Sequence, residues 1–339
     1  MTGPLTSFLY RLNRSLRELS ELLVGVTFDP YRDIVLITGG CGGLGRELAL
    51  TFSRAHAPVV VFDLNLPDPE EALPGVHYYE CDVSNRKDVL DKSAQVIDEV
   101  GTITILINNA GITTGKTVLD LSFEEIEKTI EVNLLSSFYT IKAFLPHMLK
   151  IKRGYIVTVA STLGYMSPAR LSVYGATKSG LIALHESLTY ELGPPSFNLT
   201  GVKTLLICPG QLKTRMFEGV RTPHTLLAPE LDPTDVSKAV FNAIELGKRG
   251  EIKLPFYGNF LPIFRAAPWP VVEIARYFSG IDDSMKKFVG KTIAIKESSE
   301  SVLSNALNET GSIISGILGA VSARPGDVGS INELDIAAE

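Results

Sequence analysis

Apolar residues recur along the chain in two alternating rhythms. Short, almost wholly apolar runs occupy residues 34–37, 59–62, 103–107, 156–159 and 202–207, a composition suited to parallel strands buried on both faces. Between and after them, helical spacing predicts helices over 45–55, 87–100, 123–149, 173–192 and 233–246. Strands that alternate with helices predict βαβ units. The expected architecture is α/β, a doubly wound parallel sheet with helices on both faces. One domain from residue 32 to residue 255 is the simplest account.

Both ends depart from this rhythm. Within residues 1–28, Leu5, Phe8, Leu9, Leu12, Leu16 and Leu19 form an apolar stripe, with Arg11, Arg14 and Arg17 opposite. That pattern predicts an amphipathic helix lying in a membrane surface or against a second subunit. Residues 256–290 are rich in aromatics and proline, which predicts a substrate lid or a membrane-facing extension. Residues 291–339 turn polar and predict a partly disordered tail.

Composition narrows the possibilities. An apolar share of 45%, a charged share of 21% and a net charge of −6 describe a globular chain and disfavour a nucleic-acid surface. Cys41, Cys81 and Cys208 have neither metal-ligand nor redox spacing, so no metal is expected. No secretory signal is evident, and no apolar stretch reaches the roughly 18 residues of a spanning helix.

The candidate chemistry sits where the runs end. After the first run, Thr38-Gly39-Gly40-Cys41-Gly42-Gly43-Leu44-Gly45 opens a helix. Glycines there let the backbone approach a pyrophosphate, whose charge a helix N-terminus stabilises. Asp63, at the end of the second strand, can accept bonds from ribose hydroxyls and repel a 2′-phosphate, which favours NAD over NADP. Asp63 could instead simply cap a loop; Asp82 closes the next strand and could hold an adenine amino group. Asn109, Ala110 and Gly111 end the fourth strand, where small residues leave room for a flat ring or a ribose. Asn133 stands inside a predicted helix that its propensity disfavours, so it caps a kink or orders a water. Ser161 follows a strand, and Tyr174 and Lys178 lie one helical turn apart, an arrangement able to move a proton at a carbonyl oxygen. Pro209, Gly210 and Thr214 follow the last run and could contact a nicotinamide.

Taken together and in this order, TGGCGGLG, NNAG, Asn133, Ser161, Tyr-x-x-x-Lys and PG-x-x-x-T resemble the short-chain dehydrogenase/reductase family over residues 32–250. The segments KAFLPHMLK, HESLTYELG, MFEGVRT and GIDDSMKKFVGK resemble its branch of membrane- and lipid-droplet-associated retinol and 17β-hydroxysteroid dehydrogenases. The resemblance implies a Rossmann-type fold and cofactor contacts by Gly39, Gly43, Leu44, Gly45, Asp63, Asp82, Val83, Asn109, Ala110, Gly111, Pro209, Gly210 and Thr214, joined by Tyr174 and Lys178. It implies Tyr174 as general acid/base, its pKa lowered by Lys178 and an oxidised nicotinamide. Ser161 would stabilise the substrate oxygen, and Asn133 would order a water beside Lys178. It further implies a lipophilic alcohol substrate, a homodimer built on helices 123–149 and 173–192, and peripheral attachment to the cytoplasmic face of the endoplasmic reticulum or a lipid droplet. The alternative is a non-catalytic NAD(H)-binding scaffold at a lipid surface.

Overall fold

The computed structural model describes residues 27–193, 198–220, 228–286 and 288. The expected helix of residues 1–28, apart from its last two residues, and the polar tail 291–339 lie outside the described residues. Seven parallel strands, β1 (Val35–Thr38), β2 (Val59–Asp63), β3 (Val76–Glu80), β4 (Ile105–Asn108), β5 (Gly154–Val159), β6 (Val202–Pro209) and β7 (Gly250–Leu254), lie in the order 3-2-1-4-5-6-7. The order reverses between β1 and β4, and in open sheets of this kind ligands bind outside the carboxyl ends at that switch point.

The apolar runs fold this way because each strand buries both faces. Val35 and Ile37 of β1, Val59 and Val61 of β2 and Ile105 and Ile107 of β4 pack on one side. There they meet helices α1 (Gly43–Arg54) and α6 (Pro233–Glu245), pinned by a triangle of edge-on rings, Phe28, Phe52 and Phe241, with centroids 5.2–5.7 Å apart. The alternate residues Leu36, Val60, Phe62, Leu106 and Ile156 face the other side. Helices α2 (Arg86–Glu99), α4 (Ser136–Ile151) and α5 (Ser172–Glu191) supply much of that layer.

Two departures from the sequence-based expectation bear on the site. β7, Gly-Glu-Ile-Lys-Leu, was not expected because it is an edge strand with charged alternate positions. The single helix expected over 123–149 is interrupted. α3 (Phe123–Ile130), started by a Ser122–Glu125 capping box, passes through a π-helical turn at Glu131–Leu135 before α4 begins. Asn133 sits on that turn, so its poor helix propensity marks a real irregularity. At the amino ends of β1 and β5, Arg153 clamps buried Asp33 through two bonds of 2.7 Å. Beyond β7 come a 3₁₀ turn at Phe256–Asn259 and helices α7 (Leu261–Ala266) and α8 (Trp269–Ser279).

Candidate active site

The predicted glycine turn joins β1 to α1. Gly39 and Gly43 have left-handed backbones, φ +65° and +51°. A side-chain carbon on Gly45 would lie 2.0 Å from the Gly39 carbonyl oxygen, so the turn closes only around glycine there. The N-terminus of α1 has no side-chain cap and no acid in its first turn. Its amide ends are therefore available to an anion, which fits a dinucleotide's pyrophosphate. Leu44, next in the turn, is buried in the core.

The polar side chains of this half are committed to the protein's own backbone. Asn109 Nδ2 donates to the carbonyls of Thr38 and Gly39 at 3.0 and 3.1 Å, while Thr38 Oγ1 accepts from the N–H groups of Asn109 and Ala110. Asp63, expected to accept from ribose hydroxyls, accepts the Cys41 N–H at 3.0 Å through one oxygen and the Asn65 N–H through the other, so it also braces the glycine turn. Asp82 follows β3 and Val83 is buried beside it. Burial would raise the Asp82 carboxyl, but bonds from Ser84 and Lys128 outweigh it and hold it below its ordinary value. Gly43 and Thr214 approach closely, a carbon on Gly43 standing 3.2 Å from Thr214 Cγ2.

The catalytic candidates come together beyond β5. Ser161 follows the strand, and its Oγ accepts the Leu163 N–H at 3.1 Å and donates to the Pro209 carbonyl at 3.3 Å. Its nearness also works to lower the Tyr174 phenol's pKa. Tyr174 and Lys178 lie on the inner face of α5, both buried, with Lys178 Nζ 5.6 Å from the centre of the Tyr174 ring. Lys178 Nζ donates to the Val159 carbonyl at 2.9 Å. Asn133 holds Ile112 at both ends, its Oδ1 accepting Ile112 N–H at 2.7 Å and its Nδ2 donating to Ile112 O at 2.9 Å and to Thr177 at 3.2 Å. Gly111 lies between them, a carbon there standing 3.5 Å from Asn133 Oδ1 and 3.7 Å from Lys178 Nζ.

Burial sets the electrostatics of the pair. Burial pushes the Tyr174 phenol up to about 12, against a smaller lowering by Ser161. Burial pulls the Lys178 ammonium down to about 8. Lys178 lies over the ring, 5.6 Å from its centre, and with a value near 8 it still carries its proton at neutral pH.

Residues that no local pattern revealed close the site. Met285 is buried with Tyr174 and Leu171, and Leu163, Phe217, Val220 and Phe288 pack around them. Phe217 meets the Tyr174 ring edge-on at 5.9 Å. Phe288 fits against Gly115, where a side-chain carbon would stand 2.2 Å from the ring. Arg276 ties this cover down by pairing with Asp282 and donating to the Ser167 carbonyl at 3.1 Å, while Asp282 accepts the Ala169 N–H at 2.9 Å. Residues 256–290 thus divide, their end covering Tyr174 and α8 leaving Trp269, Ile274 and Tyr277 exposed. Clustered aromatics in the sequence were the available signal, but which of them turn inward was not encoded locally.

A parallel sheet with a glycine turn at its switch point and a buried Ser-Tyr-Lys group beyond it defines a nucleotide-dependent dehydrogenase. The short chain dehydrogenase family model matches residues 33–225, and the chain belongs to that family. It is 38% identical to epidermal retinol dehydrogenase 2 of Mus musculus over 297 residues, covering 83% of this chain and 94% of the relative. It is 37% identical to estradiol 17-beta-dehydrogenase 11 of Homo sapiens over 219 residues, covering 62% and 71%. A short-chain dehydrogenase from Streptomyces avermitilis shares the fold, with a TM-score of 0.61, 23% identity and coverage of 74% of this chain and 97% of that one. The chain is accordingly an NAD(P)-dependent oxidoreductase that acts on alcohols.

Proposed function

We propose that the chain interconverts a hydrophobic alcohol (a steroid, a retinoid or a long-chain alcohol) and its ketone or aldehyde, with NAD as the cofactor, at a lipid surface. The observation that carries this reading is the buried Ser161, Tyr174 and Lys178 group under an apolar cover, beside an uncapped helix N-terminus. The names of the relatives, retinol and estradiol dehydrogenases, support a lipophilic substrate. Asp63 at the end of β2 supports NAD, since its carboxylate would repel a 2′-phosphate. The exposed face of α8 supports contact with lipid, because Trp and Tyr favour the membrane–water boundary. Among the described residues no helix is long and apolar enough to cross a membrane, which agrees with peripheral attachment. A groove of about 530 Å³ between α4 and α5, lined by Phe138, Leu145, Leu149 and Leu184, supports a homodimer through those helices.

A nicotinamide dinucleotide bound along the glycine turn supplies hydride transfer at its ring and, when oxidised, a positive charge that favours the phenolate. Tyr174 Oη takes the alcohol proton in oxidation and returns it in reduction. Ser161 Oγ donates to the substrate oxygen as charge develops. Lys178, near neutrality, exchanges protons readily and holds the ribose side of the cleft. Asn133 fixes the Gly111–Ile112 turn beside Lys178. Leu163, Phe217 and Met285 exclude water from the reacting carbon.

The test is reduction of NAD or NADP by the full chain with estradiol, retinol and hexadecanol presented in detergent micelles. NAD-linked turnover of at least one alcohol is expected, at about tenfold or more over NADP. A preference for NADP would overturn the role given to Asp63, and turnover of none of the three would overturn the substrate class.

A further inference from the structure

The turns at the carboxyl ends of β1 to β4 are joined in a closed circuit of hydrogen bonds. Asn109, at the β4 end, holds the Thr38 and Gly39 carbonyls of the glycine turn at 3.0 and 3.1 Å. The glycine turn is fixed to β2, the Cys41 N–H donating to Asp63 Oδ2 at 3.0 Å. β2 is joined to the end of β3 by the Cys81 N–H, which donates to the Asp63 carbonyl at 2.9 Å. From there Asp82 Oδ2 accepts the Lys128 ammonium of α3 at 3.0 Å, and Ser84 Oγ accepts it at 2.5 Å. Asn133, just beyond α3, returns the circuit to the β4 connection by gripping Ile112 at 2.7 and 2.9 Å.

The Lys128 link differs from the others in kind and in reach. The others each use a backbone N–H or carbonyl, whereas Lys128 meets Asp82 and Ser84 through side chains alone. The sheet order 3-2-1-4 places the ends of β1 and β2 between the two connections that Lys128 joins, a gap of three strand spacings or roughly 14 Å. Those two ends carry the glycine turn and Asp63, where a dinucleotide's pyrophosphate and adenosine ribose would rest. The turn that Lys128 grips is itself closed: Asp82 Oδ1 accepts the Ser84 N–H at 3.0 Å and the Ser84 hydroxyl at 2.6 Å. Both side chains of the ion pair are about one-third exposed, 32% and 30%, and a pair so placed adds little to stability. What it fixes is the spacing of α3 and the β3 turn.

We propose that Lys128 is a positioning residue that closes the adenosine end of the cleft, tying α3 to the turn after β3 and so fixing the wall against which the adenine rests. This rests on the reading of the glycine turn and Asp63 as a dinucleotide site. It gives α3, which carries none of the motif residues, a part in cofactor recognition.

The test is NADH affinity of the full chain by fluorescence, with displacement of NADH by ADP-ribose and by reduced nicotinamide mononucleotide, and thermal midpoints on the same samples. Lys128→Met raises Kd about three- to tenfold for NADH and ADP-ribose alike, as expected for a partly exposed charged hydrogen bond. The mononucleotide has no adenosine, so its Kd stays within about twofold of the parent value. The midpoint stays within about 2 °C. Unchanged affinities in Lys128→Met overturn the proposal. So does an equal loss for the mononucleotide, which would assign Lys128 to the path from α3 to Asn133. A loss for NADH that ADP-ribose does not share overturns it as well. A parent chain that binds no NADH sinks the cofactor reading and the proposal with it, whereas the outcomes in Lys128→Met sink the proposal alone, so the two failures are separable.

Discussion

The two halves of the cleft are built on opposite terms. On the side of β1, β2 and β4, polar side chains are used up by the protein: Asn109 on the carbonyls of Thr38 and Gly39, Asp63 on the Cys41 amide, Asn133 on Ile112. What faces a ligand there is mostly backbone, exposed by glycine. On the side of β5, β6 and the C-terminal segment, Tyr174 and Lys178 are buried with their ionisation strongly displaced, and apolar side chains surround them. The first half recognises by shape and fixed dipoles. The second holds its ionisable groups where burial penalises charge, which costs stability and gives reactivity.

The largest effect expected from breaking this contrast is on the reactive side. Tyr174→Phe removes one hydroxyl from a buried ring that Phe217 and Met285 continue to pack against, so the fold survives. Turnover should drop about a thousandfold, the scale of a lost general acid/base. A loss below about tenfold would reject Tyr174 as the proton carrier. On the recognition side the sensitivity reverses. Gly45→Ala places a carbon 2.0 Å from the Gly39 oxygen, so the turn must open, at about 3 kcal/mol. Urea denaturation and NADH binding should both weaken, and a variant with parental stability would show that the turn is not as tight as described.

The same contrast explains what was legible in the sequence. Residues 38–45, Asp63 and Asn109 announce themselves because strand, turn and helix follow one another within a few positions, so local chemistry and local geometry coincide. Tyr174 and Lys178 were legible for a similar reason, one helical turn apart on α5. The cover was not. Phe217, Met285 and Phe288 reach Tyr174 from segments separated by up to more than 100 residues, and only packing decides which aromatics of the extension turn inward. β7 escaped notice because an edge strand can carry Glu251 and Lys253 at alternate positions. Motif spacing places Lys178 near Tyr174 but says nothing about how far burial moves the pKa of either group.

The smallest expected effect tests the cost of the reactive half directly, through stability and not rate. The ordinary lysine value is 10.5 and burial brings Lys178 to about 8. Between those pH values the unfolded chain binds more protons than the fold, so stability from this group rises with pH from about 8 to 10.5 and is lowest below 8. Lys178→Met removes that penalty, on the order of 3 kcal/mol near pH 7 before the lost bond to the Val159 carbonyl is counted. The lost bond weighs equally at every pH, so it cancels when the variant and the parent are compared at two pH values. Tyr174 acts with the opposite sign and higher up: a phenol raised from 10 to about 12 favours the fold up to pH 10, and its contribution is lost as pH rises towards 12. It is present in both chains, so it too drops out of the comparison. The midpoint of Lys178→Met relative to the parent should therefore be higher at pH 7 than at pH 10, with activity abolished at both. An equal difference at the two pH values would mean that Lys178 keeps its ordinary pKa in the fold, and the reactive half would then hold its ammonium without the burial cost.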